Sequence, residues 1–318
     1  MPMRLMAGED LDFVDPISTN GDQYRSGYAR CSIVPVADGY MARTKPFPSG
    51  PITSCWLRVR IYHWGNTNEH FFGLGRSGQA ATYAGLWIGS TANAGLLAIK
   101  TYDGANWVVK ATSNINVGTF TDFLDVQLID YGTNATVNLY KAGQLLVTYT
   151  GDISVGSITD VDQVIIRRCN GYYRFSEIMV ADEDLRATSL ATLAPNAVGD
   201  LNQWTGAYTD INENPWNDAS LLYANGAGLD AQFNLSNLPS GTWGVAGIKV
   251  AARAARSAGS AVTKLQLGVK SGGQVDVDAG QTVDVPFLTY ERIASQINGA
   301  GLTQAQVDAM QINLRSAA

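Results

Sequence analysis

Short runs of β-branched and aromatic residues, each ended by glycine, asparagine or aspartate, recur along the whole chain and limit its fold most strongly. The run 123–131 shows the pattern, because Leu124, Val126 and Leu128 alternate with other positions as in a strand with one buried face. Successive runs are spaced by about 8–15 residues, with no helical periodicity between them. This pattern predicts antiparallel β-sandwiches, and the lack of βαβ alternation excludes a parallel sheet.

The first part of the chain carries most of these runs. The predicted strands lie at 56–62, 71–74, 83–88, 96–102, 107–111, 123–131, 135–140, 145–149, 164–168 and 173–180. The segment from Tyr102 to Trp107 reads as a hairpin, since Asp103-Gly104 supplies the positive φ that a tight turn requires.

The second part of the chain continues the β pattern and ends with the one clear helix signal. Strands are predicted at 229–235, 243–253, 263–270 and 274–277. The alanine-rich segment 251–256 would also suit a helix by propensity, and we favour the strand. Thr303 with Gln306 forms a capping box, which predicts one or two helical turns, followed by a final strand or extended tail.

An acidic cluster and a bland, proline-ended segment divide the chain. Residues 182–184 are Asp-Glu-Asp, and small residues then lead to Pro195, a composition typical of an exposed connection. We therefore predict an all-β protein of two antiparallel β-sandwich (jelly-roll) domains with a short C-terminal helix. The domains are 1–187, a concanavalin A-like sandwich by the resemblance described below, and 188–318, a second β-rich domain.

Composition excludes several classes of function. The net charge of −6 argues against a nucleic-acid binder, which needs a basic surface. No apolar run approaches the roughly 18 residues of a membrane helix, and the N-terminus has no apolar segment long enough to predict a classical secretion signal. Only 16% of the residues are charged, against about 25% in typical soluble domains, so uncharged surface or subunit contacts are expected.

The cysteines and histidines offer little material for metal or nucleophile chemistry. Cys31, Cys55 and Cys169 are odd in number and widely separated, which predicts three free thiols and neither a disulfide framework nor a zinc site. His63 and His70 with Glu69 could bind a metal, but partly exposed turn residues are the favoured interpretation. For the acidic cluster 182–184 the alternatives are a calcium site and, favoured, a solvated turn or a salt contact to Arg186.

Several segments resemble known families. The run from Thr136 to Val147 resembles the hairpin of concanavalin A-like (laminin G-like) jelly rolls, and 164–166 with 175–181 resemble their closing strands. The continuation through 180–186, 193–196 and 203–206 resembles tailed-bacteriophage virion proteins, in which a lectin-like sandwich precedes a second β-domain.

That resemblance implies a structural component of a bacteriophage virion, in the tail, a tail fibre or a capsid-associated position. The implied location is the virion, after synthesis in the host cytoplasm. The implied partners are other virion proteins, copies of the same chain in a homo-oligomer, and a host surface glycan or protein. A carbohydrate-binding lectin or adhesin is the alternative, and a glycoside hydrolase is less favoured.

The sequence predicts no enzymatic activity, no catalytic residue and no cofactor. It has no Gly-x-Ser-x-Gly elbow, phosphate loop or His-Glu-x-x-His motif. Glu177 and Glu183 do not match the Glu-x-Asp-x-x-Glu pattern of one sandwich glycosidase branch. Convergence in space of Asp122, Asp125 and Asp130 stays open, because a retaining glycosidase needs only two carboxylates about 5–5.5 Å apart.

Two groups of residues in the first domain are candidate ligand loops, because each places aromatic rings beside amides or a carboxylate. They are His63, Trp64, Asn66, Asn68 and His70 in one loop, and Tyr102, Asp103, Asn106 and Trp107 in the other. The competing hypothesis is that Trp64 and Trp107 are buried at the ends of the sandwich and the polar residues only cap turns.

Overall fold

The computed structural model describes residues 3–7, 12–20, 24–25, 28–63, 69–79, 83–92, 96–116, 120–168, 173–213 and 217–318. Its described part is all-β with antiparallel sheets and one short α-helix near the C-terminus, which confirms the predicted fold class. The chain divides into two compact units, Pro2–Leu190 and Ala191–Ala318. No helix among the described residues is long and apolar enough to cross a membrane.

The first unit is built from two sheets. Its strands are β1 Met3–Ala7, β2 Ile17–Asn20, β3 Ser32–Pro35, β4 Met41–Arg43, β5 Cys55–His63, β6 His70–Gly75, β7 Gly85–Ser90, β8 Leu96–Tyr102, β9 Trp107–Asn116, β10 Phe120–Ile129, β11 Ala135–Lys141, β12 Gln144–Gly151, β13 Gln163–Arg167 and β14 Arg174–Ala181. The first sheet has the order β12-β11-β10-β5-β14-β3-β2, with β1 also paired to β14. The second sheet has the order β4-β13-β6-β7-β8-β9.

Alternating side chains of both sheets form one apolar core between them. Leu124, Val126 and Leu128 of β10 are buried in it, as the period-2 pattern predicted. Ile88 of β7 and Ile99 of β8 come from the second sheet. Each residue between these core positions points to the outer face of its sheet, where the two sheets differ in chemistry.

The outer face of the first sheet carries buried arginine–carboxylate pairs. Arg58 donates to Asp125 at 2.6 Å, its guanidinium lies 3.6 Å from the ring centroid of Phe123, and Asp125 is fully buried. Glu177, also fully buried, accepts two hydrogen bonds from Arg25. These carboxylates are held in ion pairs within the fold, and removing one partner of such a pair leaves a buried charge without compensation.

Asp122, Asp125 and Asp130 are not brought together as a catalytic group. Asp125 is held by Arg58, Asp122 accepts from the backbone N–H of Phe123, and Asp130 lies beyond the end of β10 with Ser54. Residues three apart on a strand point to opposite faces, which separates Asp122 from Asp125.

The acidic cluster at 182–184 is made of salt contacts. Arg4 donates two hydrogen bonds of 2.6 Å to Asp182. Asp184 pairs with Arg186 at 2.6 Å, which confirms the predicted contact of the cluster with Arg186. Within the described residues, no group of three His, Cys, Asp or Glu side chains is placed to bind a metal.

The second unit has a six-stranded sheet and two small two-stranded sheets. Its elements are β15 Pro195–Asn202, a 3-10 turn Tyr208–Asp210, β16 Asp230–Leu235, β17 Ile248–Ala254, β18 Lys264–Ser271, β19 Gln274–Val277, β20 Gln281–Thr282, β21 Leu288–Ala294, β22 Gln296–Ile297, β23 Ala300–Gly301, α1 Gln304–Asp308 and β24 Gln311–Ala317. The six-stranded sheet has the order β15-β16-β24-β18-β19, with β20 also paired to β18. The pairs β17–β21 and β22–β23 form the small sheets.

Two predictions for the second unit have clear outcomes. The alanine-rich segment is a strand as far as Ala254, because β17 pairs along its whole length with β21. The predicted start of that strand at 243 is wrong by five positions. Trp243 is held in a loop, since its indole N–H donates to the carbonyl of Pro239 at 2.7 Å and its backbone N–H donates to Gln304 at 3.0 Å.

The cysteines give a first test of this fold. Cys31 and Cys55 are buried and form no disulfide with another described residue, and Cys169 lies outside the described residues. Burial raises the pKa of Cys55 to about 12, with the nearby carboxylate of Asp182 adding to the shift. We expect Cys55 to resist a thiol reagent at neutral pH in the folded protein, because only the thiolate reacts, and all three cysteines to react after denaturation. A denatured count of one would mean a disulfide.

The buried ion pair of Arg58 gives a second test. Asp125→Asn leaves a buried guanidinium without its counter-charge, so the free energy of unfolding should fall by about 3 kcal/mol. The matched control is Asp184→Asn at the exposed pair with Arg186, for which about 0–1 kcal/mol is expected. Urea denaturation of both variants measures the difference, and equal losses would contradict the account.

Candidate functional site

The candidate site lies on the outer face of the second sheet, at its β8–β9 side. Trp87 of β7 faces Lys100 of β8 in the register, and Lys100 faces Val109 of β9. In the next row of this face Tyr102 pairs with Trp107. The register of these strands therefore places large side chains of β7, β8 and β9 side by side, away from the core between the sheets.

Trp87 is the structural member of this group. The Cβ of any other residue at position 73 would lie 2.3 Å from the carbonyl oxygen of Leu86 and 2.9 Å from the indole of Trp87, so only glycine fits there. The indole of Trp87 is fully buried, and its N–H donates to the carbonyl of Tyr83 at 3.1 Å. A ring with no exposed surface and a satisfied N–H has nothing left to offer a ligand.

Trp107 contacts three other rings, and we call His70, Trp87, Tyr102 and Trp107 the aromatic cluster. The His70 ring stacks on Trp107 with centroids 3.4 Å apart and an interplanar angle of 10°. Tyr102 stacks on Trp107 at 4.3 Å and 22°, and Trp87 meets it edge-on at 5.2 Å. The cluster joins one residue of the first predicted loop, His70, to two residues of the second.

His70 is buried, which corrects the prediction that it is a partly exposed turn residue. Its side chain lies between Trp107 and the ammonium of Lys100, whose Nζ is 3.3 Å from Nδ1 of His70. Burial lowers the pKa of His70 to about 3, and the positive charges of Lys100 and Arg167 add to the shift. The ring is therefore neutral at physiological pH, and an ammonium beside Nδ1 is incompatible with a metal ligand at that atom.

The turn from 103 to 106 is closed by its own polar side chains. Asp103 accepts hydrogen bonds from the backbone N–H groups of Ala105 (2.8 Å) and Asn106 (2.6 Å), as well as from the Asn106 amide at 3.2 Å. These bonds lower the pKa of Asp103, so its carboxylate is ionised. The Tyr102 hydroxyl donates to the carbonyl of Gly104 at 2.7 Å, which fixes the ring against the turn.

Several polar groups at this turn stay available to a ligand. Trp107 and Tyr102 are only half-buried, while Asp103 and Asn106 are exposed. Within the described part of the chain, the indole N–H of Trp107 makes no hydrogen bond, and neither does the side-chain carbonyl of Asn106. The hypothesis that the polar residues cap the turn is thus correct for Asp103, but Trp107 is not fully buried at an end of the sandwich.

The remaining predicted residues of the first loop cannot be placed beside this cluster. His63 is the last residue of β5, and its side chain lies outside the described part of the chain. Trp64, Asn66 and Asn68 lie outside the described residues. The candidate site therefore consists of Tyr102, Asp103, Asn106 and Trp107, with His70 behind them.

Two residues that pack beside the candidate site, Lys100 and Trp87, were not identified from the sequence, although the sequence around Lys100 is unusual. Lys100 is the only charged residue in the strand 96–102, which is otherwise largely apolar, and it is 1% exposed. A lysine inside such a strand needs buried hydrogen-bond acceptors, which marks it as unusual. The sequence gives no comparable indication for Trp87, because its indole packs against Gly73 of the neighbouring strand and this contact depends on the strand pairing.

Comparison with known proteins finds distant structural similarity and no sequence relative. No family model matches the chain, and no curated protein matches it. The carbohydrate-binding module CBM66 from Bacillus subtilis is similar at 9% identity and a TM-score of 0.36, over 52% of this chain and 95% of that one.

Two further solved structures are similar at the same level. Domain 4 of AbnA, a GH43 extracellular arabinanase from Geobacillus stearothermophilus, gives 12% identity and a TM-score of 0.35 over 59% of this chain and 83% of its own. The alginate lyase Aly36B is similar at 8% identity and a TM-score of 0.34, over 56% of this chain and 97% of its own. Similarity this distant does not identify what the chain binds.

The depressed pKa of His70 predicts a pH dependence of stability. Its folded-state pKa of about 3 lies below the ordinary value of 6.5. Below about pH 6.5 the unfolded chain therefore binds a proton that the folded chain does not, and the free energy of unfolding falls by up to about 1.4 kcal/mol per pH unit. His70→Gln removes this contribution, since glutamine does not titrate.

The measurement is urea denaturation of both proteins between pH 7.5 and 4.5. The stability advantage of the wild type over His70→Gln should shrink by about 1–2 kcal/mol between pH 7 and pH 5. Carboxylates titrate in both proteins and cancel in the comparison. A constant difference across this range would show that His70 titrates normally.

Proposed function

We propose that this chain is a carbohydrate-binding protein whose first unit binds a neutral sugar ring at the 102–107 hairpin. The observation that carries the proposal is the half-buried pair of Tyr102 and Trp107, whose indole N–H has no hydrogen bond among the described residues, beside an exposed carboxylate and amide. Neither a sandwich fold nor an aromatic residue alone would support it.

The chemistry of a sugar ring matches what this hairpin offers. The C–H face of a pyranose packs on an aromatic ring, while its hydroxyls need both donors and acceptors. Trp107 supplies an N–H donor, and Asn106 and Asp103 supply acceptor oxygens within a few residues of the rings. An apolar surface with a few convergent polar groups is the usual composition of a small-molecule site.

The hairpin is held rigidly before any ligand arrives. Asp103 closes the turn, the hydroxyl of Tyr102 bonds to Gly104, and His70 with Trp87 supports the indole of Trp107. A surface ordered in advance loses little conformational entropy on binding, which favours affinity.

The charge at the hairpin supports neutral sugars over acidic ones. Asp103 is exposed, and hydrogen bonds from the turn keep it ionised. A uronic or sialic acid carboxylate placed on the neighbouring rings would meet this negative charge, and like charges in a site act against binding. Asp103→Asn should therefore reduce the preference for neutral over acidic oligosaccharides.

The other functional predictions from the sequence stay predictions. They are the role and location in a bacteriophage virion, the synthesis in a host cytoplasm, the homo-oligomer and the lack of enzymatic activity. Glycan binding at the 102–107 hairpin is compatible with a virion protein that contacts a host surface and also with a cellular lectin or adhesin.

The proposal is tested by glycan-array screening of the full chain, followed by titration calorimetry with the best neutral oligosaccharide. Trp107→Ala should weaken binding at least about tenfold, because it removes the indole N–H donor and the ring against which Tyr102 is stacked. Asn106→Ala, which leaves the aromatic cluster intact, should weaken it by a smaller factor.

The matched control is Tyr40→Ala, which removes an aromatic ring 59% exposed elsewhere on the first unit. This variant should bind like the wild type. No binding of any neutral glycan by the wild type, or equal affinity of the folded Trp107→Ala variant, would overturn the proposed function.

A further inference from the structure

The buried ammonium of Lys100 lies behind the binding surface and is not in contact with the proposed ligand. Its side chain is 1% exposed. Three acceptors surround Nζ, namely the carbonyl of Ser90 at 2.6 Å, Nδ1 of His70 at 3.3 Å and the carbonyl of Glu69 at 3.4 Å. An ammonium has three N–H donors and no acceptor, so these groups match its charged form.

The position of Lys100 ties together three neighbouring strands of the second sheet. Ser90 is the last residue of β7, and Glu69 directly precedes β6. These two residues are already joined, because the backbone N–H of Ser90 donates to the carbonyl of Glu69 at 2.8 Å and the backbone N–H of Glu69 donates to Ser90 Oγ at 3.0 Å. Lys100 adds a link from β8 to this junction.

The contact with Lys100 determines the tautomer of His70. Because an ammonium only donates, Nδ1 of His70 must accept, and the proton of the neutral ring is then on Nε2. Burial and the charges of Lys100 and Arg167 keep the pKa of the ring low, which preserves a neutral acceptor for Lys100. The ring orientation is thereby fixed on one side by Lys100 and on the other by Trp107.

We propose that Lys100 is a positioning residue of the sugar-binding surface, because its ammonium fixes the tautomer and orientation of His70, and the stacked imidazole in turn holds the indole of Trp107. The link to sugar binding rests on the proposed function, whereas the link between Lys100 and His70 does not. An indole held in one orientation presents its N–H to a ligand, and supports the Tyr102 ring stacked on it, at no further entropic cost.

The test uses Lys100→Met in the full chain, because methionine keeps the buried apolar stem and removes the ammonium. Nitrogen-15 NMR of labelled histidine should show the Nε2–H tautomer for His70 in the wild type. In Lys100→Met we expect a population of the Nδ1–H tautomer and a His70 pKa closer to the ordinary value. Affinity for the neutral oligosaccharide should fall by about fivefold or more.

The matched control is Lys110→Met on the neighbouring strand β9. Lys110 is half-buried and, in the part of the chain that the structure describes, makes no hydrogen bond or ion pair with His70, so this variant should leave both the tautomer and the affinity unchanged. If Lys100→Met fails to fold, Lys100→Gln replaces it, because glutamine still donates to a carbonyl.

Each outcome separates the two links. A wild-type His70 with the proton on Nδ1 would overturn the proposal without any variant. An unchanged tautomer in folded Lys100→Met would also overturn it, as would a changed tautomer with wild-type affinity. If the wild type binds no glycan, the proposed function fails, and the tautomer measurement still decides whether Lys100 orients His70.

Discussion

The missing side chain at Gly73 is the constraint on which the packing of the aromatic cluster depends. It lets the indole of Trp87 lie against the outer face of the second sheet, where any Cβ would collide with the strand backbone. The buried Trp87 then contacts Trp107 edge-on, and His70 stacks on one face of the Trp107 indole. Gly73 thus leaves room for Trp87, and Trp87 in turn contacts the half-buried pair of Tyr102 and Trp107 at the end of the hairpin.

The two outer faces of the first unit use different chemistry. On the first sheet, buried carboxylates such as Asp125 and Glu177 are held by arginines, so their charges serve the fold. On the second sheet the buried charge of Lys100 meets neutral acceptors, and aromatic rings reach the surface beside it. Carboxylates that are already paired with arginines have few free acceptor positions for a ligand. For this reason the 102–107 hairpin of the second sheet is the stronger candidate for a binding site.

Local patterns predicted the strands well, whereas the site required the register between strands. The strands 96–102 and 274–277 were predicted to the residue, because alternation and turn residues are local properties. The stack of His70 on Trp107 was not predictable, since it depends on how β6, β7, β8 and β9 align. The short strands β1 to β4 were missed because three to five residues carry too little alternation.

The central claim is that a sugar contacts Trp107 and not the tryptophan beneath it. The most direct measurement is an NMR titration of the indole N–H resonances with a neutral oligosaccharide, assigned through Trp→Phe variants. The account predicts that the Trp107 resonance shifts with saturation while the Trp87 resonance, bonded to the carbonyl of Tyr83, stays in place. A titration that leaves Trp107 unmoved, with binding detected elsewhere, would contradict it.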